Sequence, residues 1–165
     1  MPLVHLPVEP DGFEVEAPLV AECPVEAAAL DGERVDEVLD LLAEKMAAGG
    51  GGSIVNVSST AAGLGMPGMA LYGATKAALE SLTRTWAAEF AASNIRVNAV
   101  APGPMRTSKV VAAMGPDMGG MGLTTALKRT SDPAEVAQVI AFLAGDRASY
   151  MTGAIVAADG GRTAI

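Results

Sequence analysis

The sequence contains few cysteine, histidine and aromatic residues: of its 165 residues one is cysteine, one histidine and one tryptophan, and 4% are aromatic. Since Cys23 alone cannot form an intramolecular disulfide, the chain suits a reducing compartment. No basic stretch follows Met1, so we expect no signal peptide. The uncharged span between Lys45 and Lys76 contains too much Gly, Pro, Ser and Asn for a membrane helix. We therefore expect a cytoplasmic protein.

Basic charge is also scarce. The formal net charge is −8, from 19 acidic and 11 basic residues, which argues against a nucleic-acid or anionic-membrane partner. The excess lies in residues 1–48, where twelve acidic residues accompany two basic ones, which leaves −10 in this segment and +2 in the remainder. A solvated acidic face is the simplest interpretation of this asymmetry.

Aliphatic residues, in contrast, are abundant. Half of the residues are apolar, which is enough in a chain of this length for one domain with a core rich in Ala, Val, Leu and Met. We therefore predict a single domain over residues 1–165. Within it, residues 1–30 form a divergent acidic segment interrupted by prolines.

Apolar periodicity predicts strands that alternate with helices. The predicted strands are residues 3–8, 53–57, 95–100 and 153–157. The predicted helices are residues 31–46, residues 69–92 and a helix that begins after Asp132, which can cap it ahead of Pro133. Such alternation favours a parallel sheet with helices on both faces. Residues 104–130, rich in Met and Gly, suit either a mobile lid over an apolar ligand or a loose loop.

Tyr72 and Lys76 stand four residues apart near the start of a predicted helix, so their side chains project from one face. A tyrosine ordinarily has a pKa of about 10, and an ammonium within reach lowers such a pKa by favouring the phenolate. A pair of this kind can exchange a proton with a substrate oxygen. The spacing alone is weak evidence, because ordinary helix surfaces often produce it.

The surrounding motifs strengthen the interpretation. Asn56-Val57-Ser58-Ser59 ends a predicted strand thirteen residues before the tyrosine, Asn98-Ala99-Val100-Ala101-Pro102-Gly103 follows the tyrosine helix, and Asp159-Gly160-Gly161 follows the last strand. In this order the motifs resemble the short-chain dehydrogenase/reductase family. The resemblance runs from about Asp31 to Gly161 and covers the catalytic half of the family fold.

The resemblance implies an α/β fold with a truncated Rossmann-like parallel sheet, equivalent to strands 4-5-6-7 of the family, and helices on both faces. It also implies three catalytic roles. Tyr72 is the expected acid/base, Lys76 the cation that favours its ionised form, and Ser59 the hydroxyl that orients the substrate oxygen. Asp31 falls where the family carries a helix asparagine that relays protons to the lysine; it either keeps that role or caps the helix, and we favour the cap.

For the cofactor, the resemblance assigns Pro102, Gly103 and Thr107 to the contact with the nicotinamide of NAD(P), and residues 104–130 to closure over the substrate. We expect Ser58 and Asn98 to bond the backbone instead. No metal site is expected.

The phosphate-binding glycines of the family have no counterpart in the sequence. His5-Leu6-Pro7-Val8 stand where the cofactor motif of the fourth strand belongs, and we assign His5 to packing at a strand end. Residues 63–68 match G-x-G-x-x-G, but Pro67 removes a backbone donor, and no acidic residue ends a second strand about twenty residues later. The sequence therefore gives little support for NAD(P) binding by the chain alone.

Three functions remain open on these grounds. The first, which we favour with the second close behind, is a subunit of an oxidoreductase assembly whose partner supplies the dinucleotide site. The second is a cofactor-independent isomerase, dehydratase or cyclase, and the third is a non-catalytic scaffold. The strand predicted at 3–8 would leave an exposed edge. Residues 9–30, a second copy of the chain or a full-length subunit of the family are the candidates to cover it. Trp86 and Phe90 suit either such an interface or the core.

Overall fold

A computed structural model describes residues 32–165, with the side chains from Leu39 onward. The strand predicted at 3–8, the acidic segment 1–30 and Asp31 lie outside the described residues. The expectations stated for them, including the cap at Asp31 and the edge to be covered, stay predictions.

The described residues contain a three-stranded parallel sheet. Its strands are β1 (Gly52–Val57), β2 (Ile95–Pro102) and β3 (Ile155–Ala158), arranged in the order β1-β2-β3. Gly52 pairs with Ile95 and Ala99 with Ile155, so the three carboxyl ends lie along one edge of the sheet. The predicted parallel sheet is confirmed for these three strands.

Within residues 32–165 four α-helices accompany the sheet: α1 (Gly32–Ala48), α2 (Ala70–Glu89), α3 (Ser108–Met114) and α4 (Pro133–Ala144). Short 3-10 turns lie at Thr60–Ala62, Ala91–Ser93, Met118–Thr124, Asp146–Ala148 and Arg162–Ala164. The start of α4 is as predicted: the carboxylate of Asp132 accepts from Ala134 N, and Glu135 completes a capping box. No helix within residues 32–165 has the length and apolar composition to cross a membrane.

One face of the sheet packs on α1 and α2. The cluster contains Leu39, Ala43, Ile54, Leu79, Trp86, Ala87, Phe90, Ile95 and Val97, all of them buried. Trp86 is 3% exposed and Phe90 9%, so of the two interpretations offered for this pair, core packing is the one observed. The contact follows from the strand period of two, which turns Ile54, Ile95 and Val97 toward the same face.

The opposite face carries α4, which polar side chains of the strands hold in place. The Arg96 guanidinium donates to Leu143 O at 2.8 Å and to Ala144 O and Gly145 O at 3.1 Å. One charged side chain thus bonds carbonyls at the C-terminal end of α4, where the helix itself supplies no donor. Burial lowers the pKa of Arg96, an effect that Asp146 opposes. Arginine nevertheless stays protonated, because its ordinary pKa is so high.

Asn98, fully buried on β2, bonds the backbone as predicted. Its Nδ2 donates to Met151 O at 2.8 Å, and its Oδ1 accepts from Ala154 N at 3.1 Å. Both contacts fix the chain just before β3. The sheet therefore has helices on both faces, as the alternation of elements predicted.

Residues 104–130 differ from the loose loop considered above, because they contain α3 and a 3-10 turn. Met118 is 1% exposed, and its backbone has a positive φ. The two residues that follow it, Gly119 and Gly120, also have positive φ values. The segment is ordered by one buried methionine and by helix capping. Its closure over a substrate stays a prediction.

Candidate active site

Ser59 lies where the chain leaves β1. Ser58 N still donates to Val100 O at 2.7 Å in the manner of the sheet, and the chain then turns into the Thr60–Ala62 helix. Ser59 caps that turn, since its Oγ accepts from Ala61 N at 3.2 Å. As an acceptor in this bond, the hydroxyl keeps its proton free to donate to a substrate oxygen.

Gly73 joins this turn to the start of α2. A Cβ at Gly73 would lie 2.7 Å from the carbonyl oxygen of Ala61, so the helix approaches the turn more closely than a side chain allows. The residue next to it, Tyr72, is 39% exposed. The contact between Ala61 and Gly73 therefore brings the segments that carry Ser59 and Tyr72 together.

Lys76 is anchored between β1 and the tyrosine. Its Nζ donates to Val57 O at 3.0 Å, on the last residue of β1, and lies 5.8 Å from the centre of the Tyr72 ring. The ring is close enough for a cation–π interaction. The ammonium is thus held at the carboxyl end of β1, on the side of α2 that carries Tyr72.

Two further hydrogen bonds set the register of α2 on β1. Asn56 Nδ2 donates to Thr83 Oγ1 at 2.8 Å, and Ser58 Oγ donates to a carboxylate oxygen of Glu80 at 2.7 Å. The hydroxyl of Ser58 was predicted to bond the backbone. Its contact with the backbone, to Lys76 O, is longer, at 3.4 Å, than its bond to Glu80. Glu80 was missed from the sequence, although it follows Tyr72 and Lys76 at the same interval of four residues and so shares their helix face.

The end of β2 lies beside this group. Pro102 pairs with Ala158, and Gly103 N donates to Ala158 O at 3.1 Å. A Cβ at Gly103 would lie 2.7 Å from the Cα of Asp159, so this crossing of two chain segments needs glycine. Thr107 caps α3, where its Oγ1 accepts from Val110 N at 3.3 Å.

Asp159 stabilises the turn after β3 by hydrogen bonds to its carboxylate. Burial opposes the ionisation of this carboxylate, but bonds from the hydroxyl and N–H of Thr163 and from Gly161 N prevail and hold its pKa below the ordinary value. The terminal Asp-Gly-Gly motif is therefore a structural support that positions the backbone against Gly103.

The predicted residues thus form two neighbouring groups at one edge of the sheet. Ser59, Tyr72 and Lys76 lie near the end of β1. Pro102 is the last residue of β2, and Gly103 and Thr107 lie between β2 and α3. The reason is topological, because adjacent parallel strands end at the same edge. Asp31 is outside the described residues.

Two clefts open near this edge. One, of about 310 Å³, is mostly apolar and is lined by Ala61, Leu64, Gly65, Met66, Met69, Ala70, Gly73 and Ala74. The other, of about 280 Å³, lies around Gly103 and the turn at Asp159. Ser59, Tyr72 and Lys76 line neither of these two clefts, but the first is lined by Ala61 and Gly73, which are close to Ser59 and Tyr72 in the chain.

The residues assigned to the nicotinamide lie at the end of β2 and before α3. Within residues 32–165 no glycine-rich turn leads directly from a strand into a helix and could hold the phosphates of a dinucleotide. Residues 63–68 do not qualify, since the Thr60–Ala62 turn separates them from β1 and Pro67 offers no N–H.

The family is established by comparison with known proteins. A sequence model of the family described as "Enoyl-(Acyl carrier protein) reductase" matches residues 37–163. The chain is 47% identical over 120 residues to cis-4-hydroxycyclohexanecarboxylate dehydrogenase of Sinomonas cyclohexanicum, a match that covers 73% of this chain and 48% of the relative.

Solved structures lead to the same family. A structure described as a short chain dehydrogenase/reductase family protein matches with a TM-score of 0.75 at 41% identity, over 91% of this chain and 66% of that one. ElxO, solved with NADP bound, matches with a TM-score of 0.70 at 32% identity, over 77% and 52% of the two chains.

The chain therefore belongs to the short-chain dehydrogenase/reductase family, a family of oxidoreductases. The Rossmann-like α/β fold is confirmed for the described residues. The chain spans about half the length of the curated relatives it matches.

Proposed function

We propose that this chain carries out proton transfer at a carbonyl or hydroxyl group as the catalytic part of an oxidoreductase. The observation that carries the proposal is the position of Lys76, whose Nζ is anchored on Val57 O beside the Tyr72 ring. Tyr72 exchanges the proton with the substrate oxygen, and the ammonium of Lys76 lies beside its ring. Ser59 donates a hydrogen bond that orients the same oxygen.

A nicotinamide dinucleotide, when bound, would donate or accept the hydride at the carbon of that group. The chain would contact its nicotinamide end through Pro102, Gly103 and Thr107, at the edge of the sheet next to Ser59. The apolar cleft beside Ala61 and Met69 would take the body of the substrate, which favours a substrate with an apolar skeleton.

The phosphate end of the dinucleotide would be held by a partner, either a full-length subunit of the same family or a second copy of this chain. The absence of a phosphate cradle within residues 32–165 supports this part of the proposal. A cofactor-independent proton-transfer enzyme is the second candidate, since the described residues contain a complete acid/base set without that cradle.

Titration of the purified chain with NADH and NADPH, followed by calorimetry, separates these functions. No binding to the lone chain, with binding restored by a co-purifying family subunit, is the expected result. Tight binding by the lone chain would contradict the need for a partner. Nucleotide-free turnover that Tyr72→Phe abolishes would favour the second candidate.

Activity is best sought with cis-4-hydroxycyclohexanecarboxylate and NAD⁺ or NADP⁺, because the Sinomonas relative is named for that substrate. The assay uses the chain together with any subunit that co-purifies with it. Turnover that is insensitive to Tyr72→Phe and Lys76→Met would reject the proposed acid/base set.

A further inference from the structure

Lys76 and Glu80 are neighbours on α2 that do not pair. Four residues separate them, a spacing at which an ammonium and a carboxylate commonly form an ion pair on a helix. Between these two described side chains there is no such pair. Each has another partner: Lys76 Nζ donates to Val57 O at 3.0 Å, and Glu80 accepts from Ser58 Oγ at 2.7 Å.

Ser58 is a fixed donor. It is 3% exposed, and its own N–H is bound to Val100 O in the sheet, so its hydroxyl cannot follow a moving helix side chain. A hydroxyl that donates to a carboxylate forms a short, charge-assisted hydrogen bond. This bond places the carboxylate of Glu80 against the end of β1 and not against the ammonium.

We infer that Ser58 and Glu80 are positioning residues for Lys76. By holding the carboxylate, Ser58 keeps Lys76 free of an ion pair, so that its ammonium stays beside Tyr72. Tyr72 lies one turn before Lys76 on α2, and Glu80 lies one turn after it. The ammonium can therefore approach one of these two residues only by moving away from the other. A pair with Glu80 would draw the ammonium away from the tyrosine and neutralise it. The inference rests on the proposed function of Tyr72 and Lys76.

The other charged groups on this face are few. Among the elements that pack against α2, β1 and the Thr60–Ala62 turn contain no ionisable side chain. β2 contributes Arg96, which is engaged with α4 on the opposite face of the sheet. The described side chains of α1 contribute Asp40, Glu44 and Lys45, all exposed. Arg84, one turn beyond Glu80 on α2 itself, is exposed as well.

The test measures the rate at which an amine-directed reagent modifies Lys76, by peptide mass spectrometry over a pH series. Lys45 and Lys109, both exposed, are internal references. In Ser58→Ala the released carboxylate pairs with Lys76. We expect modification about two- to fivefold slower, with a rate–pH curve displaced to higher pH, because an ion pair of this spacing stabilises the ammonium.

The double variant Ser58→Ala/Glu80→Gln is expected to restore the original rate, since the amide carries no charge. Two matched controls are available. Ser53→Ala removes a buried hydroxyl of β1 that bonds Leu143 O, and Glu89→Gln removes an exposed carboxylate of α2. Neither control should change the modification of Lys76.

An unchanged Lys76 rate in folded Ser58→Ala would overturn the inference, and so would an equal slowing in Ser53→Ala or a failure of Glu80→Gln to restore the rate. If Ser58→Ala does not fold, Glu80→Asp decides. Its shorter side chain weakens the bond to Ser58, so slower modification is again expected. Modification needs neither substrate nor nucleotide, so it tests the inference even where the chain shows no turnover. The proposed function fails separately, if turnover of the assembled enzyme is insensitive to Tyr72→Phe.

Discussion

The ammonium of Lys76 lies 5.8 Å from the centre of the Tyr72 ring, one helical turn away on α2. The distance is set from outside the helix, because the Nζ atom is tied to Val57 O at the end of β1. A tyrosine and a lysine at this spacing are common on helices. The strand end beneath them is what gives this pair a fixed geometry.

Tyr72→Phe is expected to lower turnover by about 100-fold or more, the range that a positioned acid/base contributes. The free energy of unfolding should change by less than about 0.5 kcal/mol, because the side chain is partly exposed and its hydroxyl bonds no other described residue. The substrate assay and urea unfolding measure the two effects. Tyr150→Phe is the matched control, since Tyr150 is fully exposed, and equal losses in both variants would contradict the role of Tyr72.

Arg96→Met is expected to lower the free energy of unfolding by about 2–4 kcal/mol, because carbonyls at the end of α4 lose a charged donor. Arg96→Lys should recover part of the loss, since an ammonium cannot span all the carbonyls that the guanidinium reaches. Urea unfolding measures both variants. Arg106→Met, at an exposed site, is the control, and a similar loss there would show that charge alone matters.

Gly103→Ala is expected to destabilise the chain by about 1–3 kcal/mol, because the added Cβ meets the backbone of Asp159. The same shift would displace the end of β2, so any affinity for NADPH in the assembled enzyme should fall too. Thermal unfolding and nucleotide titration are the measurements. At Gly63 an added Cβ meets nothing within 4 Å, so Gly63→Ala should be close to neutral. Equal stability of the two variants would argue against the close crossing.

Acid should weaken the start of α4. Hydrogen bonds from Arg129 and from the Asp132 N–H lower the pKa of Glu135 from 4.5 to about 2. Because this pKa is lowered by folding, the stabilising contribution is complete above the ordinary value. It is lost as the pH falls through that value toward the lowered one. Urea midpoints followed from neutral pH down to about pH 3 should therefore fall less in Glu135→Gln than in the parent chain. In Glu89→Gln, at an exposed site on α2, the acid sensitivity of the parent should persist.

The sequence predicted the three described strands and helices α1, α2 and α4 to within a few residues, since the signals for them are local. Asp132 ahead of Pro133 marked the start of α4, and the capping box is present there. Residues 104–130 were harder, because the burial of Met118 depends on contacts that no local pattern encodes. For the site, the motif pointed to Ser59, Tyr72 and Lys76 as candidates. Glu80 continues the same spacing of four residues on that helix face, so the sequence also contained a signal for it.

By itself, the sequence determined the family, the alternation of strands and helices and the candidates for the acid/base residues, since periodicity, caps and motifs are properties of neighbouring residues. Only the tertiary structure decided which atoms these residues meet. The bonds from Lys76 to Val57 and from Ser58 to Glu80 depend on the register of α2 on β1, and the contact of Gly103 with Asp159 depends on two strands that end side by side. These contacts join residues far apart in the chain, so packing sets them.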